Sequence, residues 1–280
     1  MSDFIYLNGE IIGSEKAVVG VHNIGLLRGF GIYEAMTTHN GKAFMFDLHL
    51  TRFKKTANFM GIRIPATDEE IKTAVQTLIL KNSGPTRENL NIKFILTGGE
   101  TLHGIDYDER KPTFYIFSEK FVPISDDIFK NGAKVVSHKF LRQYPEYKTT
   151  NYIEAVKCQK KQNESNALET LYTFQGKILE CATSNFFIVK DDVLITPDQN
   201  VLKGITRKIV LDLARQNNIK FVLREISLDE LKSADEALLS ASFKEIVPVT
   251  SVDDFPIGNG KVGPITRKLF DLFTELALNY

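Results

Sequence analysis

The chain has 280 residues, 43% of them hydrophobic, and its 35 basic and 35 acidic residues give a formal net charge of zero at pH 7. This length favours two domains, and the balanced charge gives no reason to expect nucleic-acid or membrane partners. The cysteines Cys158 and Cys181 provide neither a disulfide framework nor the spacing of metal ligands, so no metal site is predicted. Without a signal peptide or an apolar stretch of membrane-spanning length, the sequence predicts a cytoplasmic protein.

The N-terminal part predicts hairpins, strands and two helices. Asn-Gly pairs at 8–9 and 40–41 are typical of hairpin turns. Asp47 is a candidate helix cap, and Thr67 with Glu70 forms the pattern of a capping box. The predicted elements are strands at 18–21, 91–97 and 113–117, helices at 48–60 and 67–80, and a loop at 98–108.

The C-terminal part alternates strands with helices. Apolar alternation at 133–140 favours a strand, and Pro264 is well suited to open a last helix. The other predicted elements are helices at 151–162 and 206–217 and strands at 171–174, 178–181, 186–189, 193–196, 237–240 and 246–250. We expect a small N-terminal domain at 1–118, a linker at 119–125 and a large domain at 126–280.

Three stretches carry candidate chemistry. The first, 145–152, reads PEYKTTNY and contains Lys148; the second, 179–189, reads LECATSNFFIV and contains Glu180; the third, 201–207, reads VLKGITR. Taken alone, Lys148 is best interpreted as a solvated surface lysine. The alternative is an amine that forms a Schiff base with an aldehyde cofactor.

In this order and spacing, the three stretches resemble the class IV aminotransferases, the fold type IV pyridoxal-phosphate enzymes. That family includes branched-chain and D-amino-acid aminotransferases and aminodeoxychorismate lyase. The resemblance runs from about Tyr6 to the C-terminal helix. It implies an α/β fold with a small N-terminal α+β domain and a larger C-terminal domain of helices and a mixed, barrel-like sheet. It also implies a homodimer with its active sites at the interface.

The resemblance assigns roles around pyridoxal 5'-phosphate. Lys148 would hold the cofactor and move a proton between the substrate and the cofactor, and Glu180 would keep the pyridine nitrogen protonated. Cys181 departs from the glycine that usually follows this glutamate. Arg52 would bind the phosphate, although with His49 it also reads as a surface pair beside a core stripe. Tyr152 would bond to the ring oxygen of the cofactor.

The third stretch is a candidate phosphate site. Gly204, Ile205 and Thr206 open a predicted helix whose first amide groups are free to bind an anion. A second copy of the pattern follows at 263–268, but its Pro264 lacks an N–H and makes it the poorer cradle. By the family match, Ser242 would bind phosphate and Ser240 would line the pocket; both also read as exposed serines at a strand end.

The substrate is the least determined part of the prediction. D-amino-acid aminotransferases of the familiar kind carry an Arg-x-His pair where this chain has LHGI at 102–105. Tyr33 resembles the D-specific group, and we expect Arg28 and Lys93 to bind the substrate carboxylate beside it, although either could be a solvated charge. The sequence thus predicts ping-pong transfer of an amino group from an amino acid, preferably a D-amino acid, to a 2-oxo acid such as 2-oxoglutarate. The alternatives are a branched-chain L-amino-acid aminotransferase, a 4-amino-4-deoxychorismate lyase and a non-catalytic cofactor-binding protein.

Overall fold

The computed structural model describes residues 3–84 and 88–280, which form two compact units. The first unit takes in the chain through Val122, together with Tyr147–Asn151 and Tyr280, and the second takes in Pro123–Glu146 and Tyr152–Asn279. The segment that contains Lys148 thus groups with the first unit and not with its neighbours in sequence. The domain limits given above remain predictions.

The first unit is an antiparallel sheet with two long helices. Its strands are β1 (Phe4–Leu7), β2 (Glu10–Gly13), β3 (Gly31–His39), β4 (Lys42–Ala43), β5 (Leu90–Thr97), β6 (Thr101–His103), β7 (Asp106–Tyr107) and β8 (Thr113–Lys120). Its helices are α1 (Ile24–Arg28), α2 (Phe46–Met60) and α3 (Asp68–Asn82), and Ser14–Lys16 is a short 3-10 helix.

Six of these strands form one sheet, in the order β2-β1-β8-β5-β3-β4, with β6 and β7 as a separate pair. Every second residue of β5 and β8 points to the same face of the sheet, and Phe94 and Phe114 are fully buried there with Phe53 of α2. The rings of Phe53 and Phe114 stack at 5.6 Å. The core of this unit is therefore the layer that its sheet shares with the helices.

The second unit is built on a larger mixed sheet. Its strands are β9 (Ala133–Lys139), β10 (Glu169–Phe174), β11 (Lys177–Cys181), β12 (Asn185–Lys190), β13 (Val193–Thr196), β14 (Phe221–Leu223), β15 (Ile226–Ser227), β16 (Glu236–Ala241), β17 (Glu245–Val252) and β18 (Phe255–Pro256). Its helices are α4 (Asp126–Asn131), α5 (Ile153–Glu164), α6 (Ile205–Gln216), α7 (Leu228–Lys232) and α8 (Pro264–Leu278).

These ten strands run in the order β14-β13-β12-β16-β17-β9-β10-β11-β15, with β18 paired to β17. The pairs of β9 with β10, β9 with β17 and β13 with β14 are parallel, and the others are antiparallel. A second apolar core, which includes the fully buried Phe186 and Leu239, belongs to this unit. No helix in the described part of the chain is long and apolar enough to cross a membrane.

Local signals predicted most elements, and the differences have local causes. Thr67 forms the expected capping box with Glu70. Asp47 does not cap α2, because the helix begins at Phe46, two residues earlier than predicted, and its N-cap is Met45 in the left-handed region. The predicted strand at 18–21 is wrong: this segment has no regular structure. The predicted loop at 98–108 contains β6 and β7, and the strand expected to end at 117 continues to Lys120, inside the predicted linker.

Candidate functional site

The segment around Lys148 is attached to the first unit as a short extension of β3. The backbone N–H of Tyr33 donates to the carbonyl of Lys148 at 3.0 Å, and that of Thr150 donates to the carbonyl of Gly31 at 3.0 Å. Ile32 and Thr149 form an antiparallel bridge. These bonds involve only the main chain, so they position Lys148 without engaging its amine.

The amine of Lys148 meets the phenol of Tyr33. Nζ donates to the hydroxyl at 3.0 Å and lies 4.1 Å from the centre of the ring. Lys148 is only partly buried, and the contact with Tyr33 restricts the freedom that a solvated lysine would have. The interpretation of Lys148 as an ordinary surface charge is therefore disfavoured.

Next to Tyr33, on the opposite face of β3, Glu34 is fully buried. Its carboxylate accepts from Nε and Nη2 of Arg52 at 2.8 and 2.6 Å and from the backbone N–H of Ala35 at 2.8 Å. Burial opposes the charge of Glu34, but Arg52 and then His49 hold its pKa far below the usual range. Glu34 therefore stays ionised as the counter-charge of Arg52.

His49 completes this buried group. Its Nδ1 lies 3.0 Å from Oε1 of Glu34, and because an ionised carboxylate only accepts, Nδ1 is the nitrogen that carries the proton. Burial lowers the pKa of His49, and the carboxylate of Glu34 only partly offsets that effect. His49 is thus a neutral ring in the interior, and the alternative interpretation of His49 and Arg52 as a surface pair is wrong.

In the second unit, Glu180 is a buried carboxylate, one residue before the end of β11. Its Oε1 accepts from Nε and Nη2 of Arg142 at 3.0 and 2.7 Å, and its Oε2 accepts from the backbone N–H of Leu202 at 3.0 Å. Burial works against the charge of Arg142, but Glu180 and then Tyr152 raise its pKa above the ordinary value. Arg142 therefore pairs with Glu180 and also interacts electrostatically with Tyr152, the N-cap residue of α5.

Asn185 connects Glu180 with the third sequence stretch. Its Nδ2 donates to the carbonyl of Leu202 at 2.7 Å and to Oε2 of Glu180 at 3.2 Å. Its Oδ1 lies 2.0 Å from the point where a Cβ on Gly204 would be. Only glycine leaves room for Asn185 at this point, so the start of α6 is held close to the Glu180 carboxylate.

The starts of α6 and α8 have the same sequence pattern but different surroundings. At α8, the carboxylate of Glu236 accepts from the backbone N–H of Ile265 at 3.1 Å and from that of Thr266 at 2.7 Å. At α6, the N-cap residue Gly204 provides no side-chain cap. A carboxylate thus already fills the place of an anion at α8, which leaves α6 as the better of the two anion sites.

Strand β16 and the turn after it carry the two predicted serines. Ser240 pairs with Asn185 across β12 and β16, and its buried Oγ has no hydrogen-bond partner within residues 3–84 and 88–280. Ser242 lies in the turn between β16 and β17 and is partly buried. The alternative interpretation of both residues as exposed strand-end serines therefore does not hold.

Several known proteins resemble this chain over nearly its whole length. Residues 31–252 match the family described as Amino-transferase class IV. A putative branched-chain-amino-acid aminotransferase of Methanocaldococcus jannaschii is 33% identical over 97% of this chain and 96% of its own length. A D-alanine aminotransferase of Listeria monocytogenes is 30% identical over 97% of this chain and 95% of its own. The branched-chain amino acid aminotransferase of Escherichia coli superposes with a TM-score of 0.90 at 25% identity, covering 100% of this chain and 95% of that one.

The chain belongs to the class IV aminotransferases. It is an enzyme that depends on pyridoxal phosphate, and the expected fold type IV architecture is confirmed. The alternative of a non-catalytic cofactor-binding protein is thereby wrong. Three of the predicted residues have the chemistry that the sequence analysis expected of them: Lys148 carries an amine, Glu180 a buried carboxylate, and Gly204 is an N-cap residue without a side chain.

The predicted substrate residues of the aminotransferase lie in different settings. Lys93 projects from the same face of the sheet as Tyr33, because Tyr33 pairs with Ile95, two residues along β5. Its Nζ bonds to the carboxylate of Glu119 at 2.7 Å. Arg28 is an exposed residue that ends α1, and its Nη1 donates to the carbonyl of Leu27 at 2.9 Å. Lys93 is thus held in an ion pair on a strand of the sheet, whereas Arg28 is an exposed residue at the end of a helix.

Sequence reasoning missed Glu34 and Arg142 and gave Asn185 no role. Glu34 interrupts an apolar strand directly after Tyr33, and a charged residue at such a position is buried only when it is paired. Arg142 precedes the Lys148 stretch and has no such local signal. Asn185 stands in the quoted second stretch, where its spacing from Glu180 gave no indication of a shared hydrogen bond.

Proposed function

We propose that this aminotransferase transfers the amino group of a D-amino acid to a 2-oxo acid such as 2-oxoglutarate. The observation that carries the proposal is the contact of Lys148 Nζ with the Tyr33 hydroxyl at 3.0 Å, beside a buried Glu34–Arg52 pair. D-alanine aminotransferases among the relatives at about 30% identity support the choice of donor.

Pyridoxal phosphate, when bound, supplies an aldehyde that takes up the amino group and a ring that accepts electrons. In our proposal, Lys148 holds the cofactor and its Nζ then takes the proton from the α-carbon of the substrate. Tyr33 orients that amine through its hydroxyl. The carboxylate of Glu180, fixed by Arg142 and Asn185, holds a proton on the ring nitrogen.

The phosphate belongs, in the same proposal, at the start of α6. The backbone N–H groups of Ile205 and Thr206 and the hydroxyl of Thr206 donate to it, and Arg52 supplies positive charge. Ser242 adds a donor. The fixed orientation of Arg52 on Glu34 reduces the entropy that this cation would lose on binding an anion.

Lys148→Ala tests the role of the amine, with Lys160→Ala on the exposed side of α5 as the matched control. We expect no turnover from Lys148→Ala and a retained fold, because the segment is held by main-chain bonds. Borohydride treatment of the parent should attach the cofactor to the peptide that contains residue 148. A label on another lysine would contradict the assignment.

The choice of substrate is tested by mixing the loaded enzyme with single amino donors and following the absorption of the bound cofactor. D-alanine or D-glutamate should convert it faster than L-leucine. A faster reaction with L-leucine would reverse the choice of substrate and leave the role of Lys148 untouched. Release of pyruvate from 4-amino-4-deoxychorismate would instead identify the lyase reaction.

Lys93 offers a sharper test of carboxylate binding, because Glu119 competes for it. If Lys93 binds the substrate carboxylate, Lys93→Ala should raise KM for the amino donor and Glu119→Gln should lower it. Arg28→Ala should also raise KM. An unchanged KM would remove the residue concerned from the site.

The second candidate is a branched-chain L-amino-acid aminotransferase. The partly buried Ile95, Tyr115 and Phe117 share the sheet face of Tyr33 and offer an apolar surface of the kind that a branched side chain needs.

A homodimer also remains a proposal, which light scattering on the purified enzyme would test.

A further inference from the structure

One cluster of metal-binding side chains lies apart from the residues assigned above. His138 is on β9, and Glu154 and Cys158 are on α5. One ligand atom from each of the three lies within 4.8 Å of the other two. Nε2 of His138 and Oε1 of Glu154 are already 2.9 Å apart.

Helix geometry and strand pairing bring these residues together. Glu154 and Cys158 are four residues apart, which places them on one face of α5. His138 pairs with Tyr172 in the parallel ladder of β9 and β10. No local sequence pattern joins His138 to the helix, so the expectation that the chain has no metal site rested on cysteine spacing alone.

We propose that His138, Glu154 and Cys158 form a binding site for a divalent transition-metal ion of the zinc class. Imidazole, carboxylate and thiolate are the ligand types that Zn²⁺ takes, whereas Mg²⁺ and Ca²⁺ prefer oxygen ligands alone. With bonds of about 2.0–2.3 Å, the ligand atoms of a tetrahedral zinc site lie roughly 3–4 Å apart. The separations in the structure, none above 4.8 Å, are close to that spacing.

The fourth position is open to water. The side chains of His138 and Glu154 are 30% and 21% exposed, while Cys158 is 5% exposed. The cluster thus has one buried soft ligand at its base and two ligands at its mouth. Three protein ligands with water in the fourth position differ from the closed, four-ligand sites in which zinc is purely structural.

Neighbouring cations set the conditions for binding. Nζ of Lys157 lies 2.9 Å from Oε2 of Glu154, but its side chain is 66% exposed and can turn to solvent. Lys161 donates to the carbonyl of Ser137. Burial raises the pKa of the Cys158 thiol, so binding must break the S–H bond, form the metal–sulfur bond and release one proton to water.

The site would connect the two ends of the segment that carries Lys148. His138 precedes that segment and Glu154 follows it. An ion bound to both would add a cross-link between β9 and α5 at the ends of this segment. Binding of the ion does not require the reaction that the enzyme catalyses.

The test uses the loaded enzyme after chelator treatment and dialysis, with Co²⁺ as a spectroscopic probe and Zn²⁺ for equilibrium dialysis. We expect one Co²⁺ per chain, the ligand-field bands of tetrahedral cobalt and a thiolate-to-cobalt charge-transfer band. Cys158→Ser should abolish the charge-transfer band and weaken Zn²⁺ binding by more than about tenfold. Cys181→Ser, which removes the other buried cysteine, should keep both signals.

Glu154→Gln and His138→Gln carry the test if Cys158→Ser does not fold, and each should weaken binding of Zn²⁺. Absence of cobalt bands in the parent would overturn the proposal. So would the same charge-transfer band in Cys158→Ser, because the thiolate would then be Cys181. Zn²⁺ binding that none of the three variants changes would also overturn it.

Discussion

The Glu34 carboxylate shows how a single buried charge is kept in the interior. Three donors from Arg52 and Ala35 satisfy it, and His49 covers one side. An isolated carboxylate in this position would be protonated, since burial disfavours the charged form. Its retention as an anion therefore depends on Arg52, and the orientation of Arg52 depends on it.

Glu34→Gln should destabilise the protein by about 3–5 kcal/mol at neutral pH, because it removes the buried charge that balances Arg52, whose side chain is only 11% exposed. Since the folded pKa of Glu34 is lowered, the contribution of its charge is complete above the ordinary value of about 4.3. It is lost as the pH falls toward the folded value. Urea unfolding of parent and variant should differ most above about pH 5, by a gap that narrows in acid.

The control for that experiment is Glu119→Gln, which removes a carboxylate that is 45% exposed and paired with Lys93. We expect little change in the free energy of unfolding, because exposed ion pairs contribute about 0–1 kcal/mol. If the difference in unfolding free energy between the parent and Glu34→Gln grew in acid, the lowered pKa assigned to Glu34 would be wrong.

Glu180→Gln should lower kcat by about a hundredfold or more, because the amide keeps the size of the side chain but cannot hold a proton on the ring nitrogen. Glu236→Gln is the matched control: Glu236 is also a buried carboxylate, but its bonds go to backbone N–H groups of α8. Far-ultraviolet circular dichroism would verify both folds. A Glu180→Gln enzyme with nearly parental kcat would remove Glu180 from this role.

The paired starts of α6 and α8 show that a helix N-terminus takes its role from what faces it. Each has a glycine as its N-cap residue, and a Cβ added to either glycine would meet a side chain at 2.0 Å. The obstacle is Asn185 at Gly204 and Glu236 at Gly263. The start of α8 is therefore closed by the carboxylate of Glu236 from β16, and the start of α6 is fixed next to Glu180.

Because of this difference, replacing the N-cap glycine with alanine should have a different effect at each helix. Gly204→Ala should push Asn185 away from the start of α6 and lower the fraction of pyridoxal phosphate that survives dialysis. Gly263→Ala should displace the Glu236 cap and lower the melting temperature, with cofactor retention unchanged. Equal retention in both variants would show that the start of α6 does not hold the phosphate.

At the level of the molecule, each unit has an apolar core of its own. In the first unit, the ring of Phe53 packs between sheet and helix, 5.5 Å from that of Phe94. In the second, Phe186 is equally buried. A substitution in the core of either unit therefore tests the stability of that unit.

Phe53→Ala and Phe186→Ala should each cost about 3–5 kcal/mol, because both rings are fully buried and leave a cavity. Leu80→Ala, whose side chain is 77% exposed on α3, should change stability by less than about 0.5 kcal/mol. Thermal unfolding of the three variants would measure these changes. If Phe53→Ala left the free energy of unfolding nearly unchanged, the packing described for the first unit would be wrong.

The sequence by itself determined the features that depend on a few neighbouring residues. The hairpin turns place Asn8 and Asn40 at positive φ, Gly61 ends α2 in the left-handed region, and Thr67 with Glu70 caps α3. Each of these depends on backbone conformations or hydrogen bonds within about four residues, which the order of residues shows directly. The order and spacing of the Lys148, Glu180 and Gly204 stretches likewise indicated the family.

Only the tertiary structure decided which of these residues are partners. The contact of Lys148 with Tyr33 joins residues 115 positions apart, that of Arg142 with Glu180 spans 38, and that of Glu236 with Thr266 spans 30. The sequence could not show how the surroundings of the two similar helix starts, Gly-Ile-Thr at α6 and Gly-Pro-Ile-Thr at α8, differ. The carboxylate that caps α8 comes from Glu236 on β16, which is distant in sequence. A buried charge is stable only beside a compensating group, and the fold alone decides which group that is.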